Sequence, residues 1–341
     1  MPAVSDRLPL WSWWLPLPLL HLGTWLTFAL GTVGGVALGY VPFALGLACV
    51  LWWGPRVLPA MYLNAVLSAL LWGVAWPLAT LHALPETLGL ALAWVLLRQR
   101  KVEATLCGLP HLLRFFLLGV LLPAMFMTLG MRGMQLLAGQ VPAADWLRTS
   151  LGLWLAYGLS SLVIAIPLLA GCTPYLRRRG WALPSRTDEQ GAAPAWRHLP
   201  PWSLLLLLLV GLPSLVQVLP LSLTLPLIGL AMLSLGLFWG FPGALCGLGL
   251  TALVTLQPLL GEAQSSSEWL SPLRSELHLS VLVLMIATLL VGRALSDLRQ
   301  TLKRSATMQK DLALANLALQ SSPLGVSITD LRQPNAPFIY C

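Results

Sequence analysis

The sequence predicts an all-α polytopic membrane protein, and three observations predict it. Charged residues make up 9% of a chain that is 57% hydrophobic, against about a quarter charged in an ordinary soluble domain. The charges are bunched, leaving apolar runs such as 204–209 and 281–290, and several runs reach the roughly 20 residues a helix needs to cross a bilayer. The 29 glycines and 27 prolines would argue for disorder in a polar chain. Membrane helices tolerate them, because neighbouring helices satisfy the freed backbone groups.

The expected spans are roughly 12–38, 41–54, 57–73, 75–97, 112–131, 149–171, 202–219, 223–239, 242–260 and 278–296. Residues 1–10 hold one basic residue, Arg7, and no small-residue cleavage site follows, so the first span is expected to stay in place. The segments 41–54 and 57–73 are short for about 30 Å of hydrocarbon. Joined by Gly54-Pro55-Arg56, they read either as two tilted spans or as a broken, re-entrant pair, which puts the count at 8–10 transmembrane helices.

Short cytoplasmic loops carry the excess of Lys and Arg. With the N-terminus inside and ten spans, 17 of the 20 basic residues fall inside, and only Arg132, Arg148 and Arg274 fall outside. Both termini are therefore expected in the cytoplasm, and eight spans would keep the same ends. The +8 charge follows span ends rather than one soluble face, which argues against nucleic acid as a partner. Segment 173–200, with Arg177–Arg179, reads as a cytoplasmic connector between two halves. Segment 261–278, with Glu262, Glu268, Trp269 and Glu276, is the largest external loop.

From Arg293 to about Leu319 the chain has no proline or glycine and predicts a long helix leaving the membrane. Leu295, Leu298 and Leu302 follow 3,4 spacing, and Met308, Leu312, Ala315 and Leu319 resume it after a phase slip. Two such helices would form a short coiled coil, so a homodimer is expected; a single amphipathic helix on the membrane is the alternative.

Beyond it, Ser322-Pro-Leu-Gly-Val-Ser-Ile-Thr-Asp330, a loop with Pro334, and Pro337-Phe-Ile-Tyr340 resemble the opening of a PAS domain. The resemblance implies a truncated start of an α/β domain, with no complete ligand cavity in these residues. In the membrane region, Tyr40-Val-Pro through Gly54-Pro-Arg-Val-Leu-Pro59, Glu86-Thr-Leu through Leu97-Arg98, and Trp154 to Pro167 resemble the first MASE family of membrane-associated sensor domains. The family's usual acids fall here at Gly89 and Gly158, its glycine at Ser161 and its asparagine at Glu86, so the roles of those acids do not carry over. The implied organisation is a sensor domain over 1–297, a signalling helix over 298–319 and the PAS opening over 320–341.

Glu86 is the leading candidate for intramembrane sensing, since an ionised carboxylate at the centre of a span costs on the order of 2.5–3.5 kcal/mol and ordinarily faces a partner or cavity. His82 lies one turn earlier, on the same face, if the helix continues through Pro85; the pair could then hydrogen-bond or share a proton. Alternatively, Pro85-Glu86 begins a helix after a loop. The tryptophans Trp11, Trp13, Trp14, Trp52 and Trp53 sit where interfacial anchors are expected. Cys49, Cys107, Cys172, Cys246 and Cys341 form no CxxC pair and read as inert thiols. His21, His111, His198 and His278 have no metal spacing, and no cofactor is expected.

No phosphate loop, serine elbow, HExxH, GGDEF or kinase motif occurs, so no enzymatic activity is expected of this chain. The resemblance implies a bacterial inner-membrane input module that passes an unidentified stimulus from the bilayer region to PAS and an output domain for cyclic-di-GMP turnover or histidine phosphorylation. The competing class is a transporter or channel that uses Glu86 and His82 as a proton or substrate site.

Overall fold

The computed structural model describes residues 8–29, 32–33, 36–37, 39–139, 141–184, 200, 204, 208, 221–262, 272–320, 328–329 and 338–340. Helices dominate them. In chain order they are α1 (Pro16–Ala29), α2 (Val41–Trp53), α3 (Leu58–Leu71), α4 (Trp76–Gln99), α5 (Leu109–Leu137), α6 (Ala143–Arg178), α7 (Leu221–Trp239), α8 (Phe241–Glu262) and α9 (Pro272–Gln320). By length and composition five helical stretches suffice to cross a membrane, provided that 41–71 is counted through the 3₁₀ turn that joins α2 to α3: 41–71, α4, α5, α6 and 279–318 within α9. Pro226–Trp239 and Phe241–Thr251 are shorter apolar helices. The chain is therefore membrane-embedded, with fewer full-length helices among the described residues than the eight to ten expected; 202–219 lies almost wholly outside those residues.

The stretch 41–71 is a hairpin. Thr27 Oγ1 accepts the Val41 N–H at 3.1 Å, and Trp11 meets Trp53 edge-on at 5.6 Å, so α1 and α2 are antiparallel. His21 meets Asn64 at 3.2 Å, Thr24 meets Ser68 at 2.9 Å, and the Phe28 and Trp72 rings lie 4.9 Å apart, so α3 runs parallel to α1. The reversal sits at Gly54, whose φ of +71° belongs to the left-handed region, where glycine carries no Cβ penalty. A 3₁₀ turn, Gly54–Val57, completes it. The segments 41–54 and 57–73 thus turn back on each other, an arrangement shared by two tilted spans and a re-entrant pair.

The expected first span, 12–38, is helical only over the 14 residues of α1. Thr32–Val33 pairs with Val36–Ala37 as a short antiparallel ladder. The reason is local: Gly31, Gly34 and Gly35 alternate with β-branched Thr32, Val33 and Val36, a composition with little helix preference. From α4 onward the helices are longer than expected, and α6 takes in the first six residues of the predicted connector, 173–178.

Two π-helical segments, Phe115–Leu121 in α5 and Ser161–Ala165 in α6, lie just ahead of Pro123 and Pro167. A proline has no N–H to donate and its ring crowds the carbonyl four residues back. Widening the preceding turn relieves that crowding, and the Leu121 carbonyl accepts the Trp154 indole N–H at 3.1 Å. Pro85 lies inside α4 without breaking it, so Glu86 does not begin a helix after a loop.

Close backbone approach locks α4 to α5. A Cβ at Gly89 would run into the Met127 side chain, one at Gly119 would stand 2.9 Å from Leu97, and one at Gly130 would stand 3.0 Å from Pro85. These pairs put 97 beside 119 and 85 beside 130, which makes the two helices antiparallel. One core cluster runs from Leu20 through Phe43, Leu90, Phe115 and Leu162 to Leu282 and Leu289, while Leu22, Leu88, Leu117, Phe126 and Val283 are exposed. Exposed large apolar residues spread over several helices are the surface a bilayer covers.

Residues 296–341 form a separate unit. Its helical part, the end of α9, exposes Leu298, Leu302, Met308 and Leu312, and Ile328–Thr329 pairs with Phe338–Tyr340 as a two-strand antiparallel ladder. Most of 320–341, which carries the resemblance to a PAS opening, lies outside the described residues, as does the Leu319 side chain.

Candidate functional site

The helix polarities sort the polar residues to two ends of the bundle. At one end converge the α2–α3 turn, the C-termini of α4 and α6 and the start of α5, with Arg56, Arg98, Arg114 and Arg177–Arg179. This end is tightly cross-braced. Trp52 Nε1 donates to Thr173 Oγ1 at 2.8 Å, Trp53 Nε1 to the Trp181 carbonyl at 2.8 Å, and the Leu183 N–H to the Trp52 carbonyl at 2.8 Å. Arg177 Nη2 bonds Glu103 Oε2 at 2.9 Å, and the Glu103 N–H reaches His111 Nδ1 at 3.2 Å. Trp13 and Trp14 are exposed, as interfacial anchors would be; Trp52 and Trp53 are buried. Their indoles hold the connector to the bundle rather than facing lipid, because each N–H has an internal acceptor and would otherwise be stranded.

At the opposite end the start of α2, the end of α3, the first turns of α4, the end of α5 and the start of α6 enclose a cavity of about 350 Å³. Glu86 and His82 both line it, as do Tyr40, Tyr157, Arg132 and Gln135. Glu86 is 3% exposed, His82 4% and Arg132 7%, so three ionisable side chains are withdrawn from solvent around one space. Their arrangement differs from the expected His82–Glu86 hydrogen bond. Glu86 Oε2 instead accepts the Tyr40 hydroxyl at 2.9 Å, and His82 Nε2 has no hydrogen-bond partner among the described residues. The competitor is geometric: Tyr40 caps the entry to α2 and arrives over the α4 turn that carries Glu86.

Tyr157 packs edge-on against Tyr40 at 5.2 Å and against Phe43 at 5.3 Å, and its hydroxyl points to Met131 Sδ at 3.4 Å. Arg132 Nη1 donates to Gln135 Oε1 at 2.7 Å, while its Nε is buried without a partner. Gln135 is neutral, so the guanidinium is not neutralised by its partner. Ser68, also in the lining, continues into a hydroxyl and amide chain between α1 and α3: Ser68 to Thr24 at 2.9 Å, Thr24 to Asn64 at 3.3 Å and Asn64 to His21 at 3.2 Å.

The site thus keeps both candidates from the sequence and adds others that sequence reasoning did not mark as site residues, Arg132, Tyr40 and Tyr157 among them. Arg132 had a legible signal, since a guanidinium embedded in the apolar run 117–137 is expensive. Tyr40 and Tyr157 had none, because a tyrosine in an apolar stretch is ordinary until its hydroxyl partner is known. Leu295 is half buried in α9, apart from this cavity, and Leu298, Leu302 and Leu312 are exposed.

Arg148 and Arg274, placed outside with Arg132 by the charge count, have side chains beyond the described residues. No group of three or more metal-ligating side chains occurs among the described residues. Compared with protein-family models, with curated proteins and with solved structures, the chain matches none.

Proposed function

We propose that this chain is the membrane-embedded input module of a bacterial signalling protein, held in the inner membrane with both termini in the cytoplasm. In this reading the bundle has alternative packings, a stimulus biases them, and α9 transmits the difference to a PAS domain and an output for cyclic-di-GMP turnover or histidine phosphorylation. The chain itself supplies no catalysis. One observation carries the reading: α9 is unbroken from Pro272 to Gln320, with Val281, Leu282, Met285 and Leu289 buried and Leu298, Leu302, Met308 and Leu312 exposed. A leucine row in water is stable only when a partner covers it, and a second copy of the same helix is the partner that fits. The concentration of arginines at one end supports the orientation, since that end would face the cytoplasm.

Cysteine cross-linking in membranes tests the reading. With native cysteines replaced, Leu298→Cys and Leu312→Cys are expected to cross-link at least fivefold more than Gln300→Cys and Lys310→Cys. Equal yields at the four positions would remove the dimeric transmission helix.

A second reading, a transporter, draws on the buried Glu86, His82 and Arg132 around one cavity. Proteoliposomes that carry a solute or proton flux abolished by Glu86→Gln would favour it over the sensor.

A further inference from the structure

The cavity holds a carboxyl group and a guanidinium that are not spent on each other. Among the described residues Glu86 is engaged only by the Tyr40 hydroxyl, and Arg132 only by Gln135, so neither belongs to an ion pair there. Withdrawing a charge from water is unfavourable unless a counter-charge with good geometry meets it. An internal Arg–Glu pair would settle both groups at once. No such pair forms among the described residues, and the Tyr40 and Tyr157 rings, 5.2 Å apart, line the same cavity. Two nitrogens of the lining residues, the guanidinium's own Nε and His82 Nε2, which donates in its Nε2–H tautomer, are buried without partners among the described residues. A free acceptor group is what this side of the cavity lacks, whereas the Glu86 side offers a carboxylate to a cation. The lining also offers apolar side chains, among them Ala65, Ala69 and Leu153.

We propose that the cavity binds a free α-amino acid with an apolar side chain. Its carboxylate is held by Arg132 and His82, its ammonium group by Glu86, and its side chain by Ala65, Ala69 and Leu153. A planar guanidinium offers a carboxylate two parallel donors, and a volume of about 350 Å³ lies at the small end of ligand pockets. The assignment deepens the sensor reading, on which it rests for its meaning as a stimulus, by giving that stimulus a chemical class.

The test uses the full chain in lipid nanodiscs. The twenty L-α-amino acids are screened by thermal shift. The strongest stabiliser is then titrated calorimetrically beside its decarboxylated amine and its deaminated acid. An apolar amino acid is expected to raise the midpoint, with each analogue binding at least tenfold more weakly.

Glu86→Gln should bring the amino acid and the deaminated acid to within about threefold of each other, and Arg132→Gln should do the same for the amino acid and the amine. If Arg132→Gln does not fold, Arg132→Lys is expected to bind the amino acid more weakly while still preferring it to the amine. No stabilisation by any of the twenty, analogues that bind as tightly as the parent, or variants that weaken all three ligands equally would overturn the assignment. Binding without any change in cross-linking at Leu298 would leave the site standing and remove the sensor reading. Cross-linking at Leu298 in a chain that binds no amino acid would do the reverse.

Discussion

The two ends of the bundle treat buried charge in opposite ways. At the arginine-rich end Glu103, 3% exposed, meets Arg177 at 2.9 Å, and neighbouring tryptophan N–H groups each have an acceptor. At the cavity end Glu86 is equally buried, yet it faces a tyrosine hydroxyl, while Arg132 and His82 keep unpartnered nitrogens. Satisfied polar groups fix a structure, whereas polar groups left short of partners beside a cavity are poised for something that arrives. The same residue types are therefore a brace at one end and a candidate binding site at the other.

The largest expected effect comes from breaking the brace. Glu103→Gln should leave Arg177 without its counter-charge and lower stability by about 2–3 kcal/mol, less than for a fully buried pair because the Arg177 side chain is 20% exposed. Thermal unfolding in detergent reads this, and Glu103→Gln with Arg177→Met should recover at least half of the loss. A single variant as stable as the parent would mean the pair does not brace this end.

Overpacking between α4 and α5 ranks next. Gly89→Val places methyl groups where Met127 packs and should cost about 1–3 kcal/mol. Met127→Ala in the same chain should restore much of it by vacating that space. The cost would then belong to the contact rather than to helix propensity.

A smaller effect is expected at the connector. Trp52→Phe keeps the ring but removes the bond to Thr173, for a loss of about 1 kcal/mol together with faster proteolysis near Trp181. Cleavage at an unchanged rate would show that the indole N–H does not hold that segment.

The smallest effect should come from Glu86→Gln, whose unliganded stability is expected within about 0.5 kcal/mol of the parent. A neutral amide removes a buried carboxyl group that no cation meets among the described residues and still accepts from Tyr40. If Glu86→Gln instead cost as much as Glu103→Gln, the contrast between the two ends would collapse and Glu86 would be a structural residue.

Much of this was legible in the sequence, and for identifiable reasons. Apolar runs interrupted by arginines can be stable only as buried or lipid-covered helices, so the membrane class and the existence of α4, α5, α6 and α9 followed from composition and length. Glu86 and His82 stood out because ionisable groups are costly in an apolar run wherever that run ends up.

Other features depended on contacts between segments distant in the chain. The short apolar segments 41–54 and 57–73 left their mutual packing open, and the partners of α1 and the positive φ of Gly54 show where the chain reverses between them. Spacing put His82 one turn from Glu86, but the entry to α2 delivered the Tyr40 hydroxyl to that carboxylate first. Arg132 looked like an arginine at the outer end of a span, until the antiparallel packing of α4 and α5 turned it toward the same cavity. Sequence alone determined which groups are too expensive to bury without a reason. Only the tertiary structure decided whether each found its partner inside the fold, because hydrogen bonds and ion pairs depend on distances of about 3 Å between residues that local spacing does not relate.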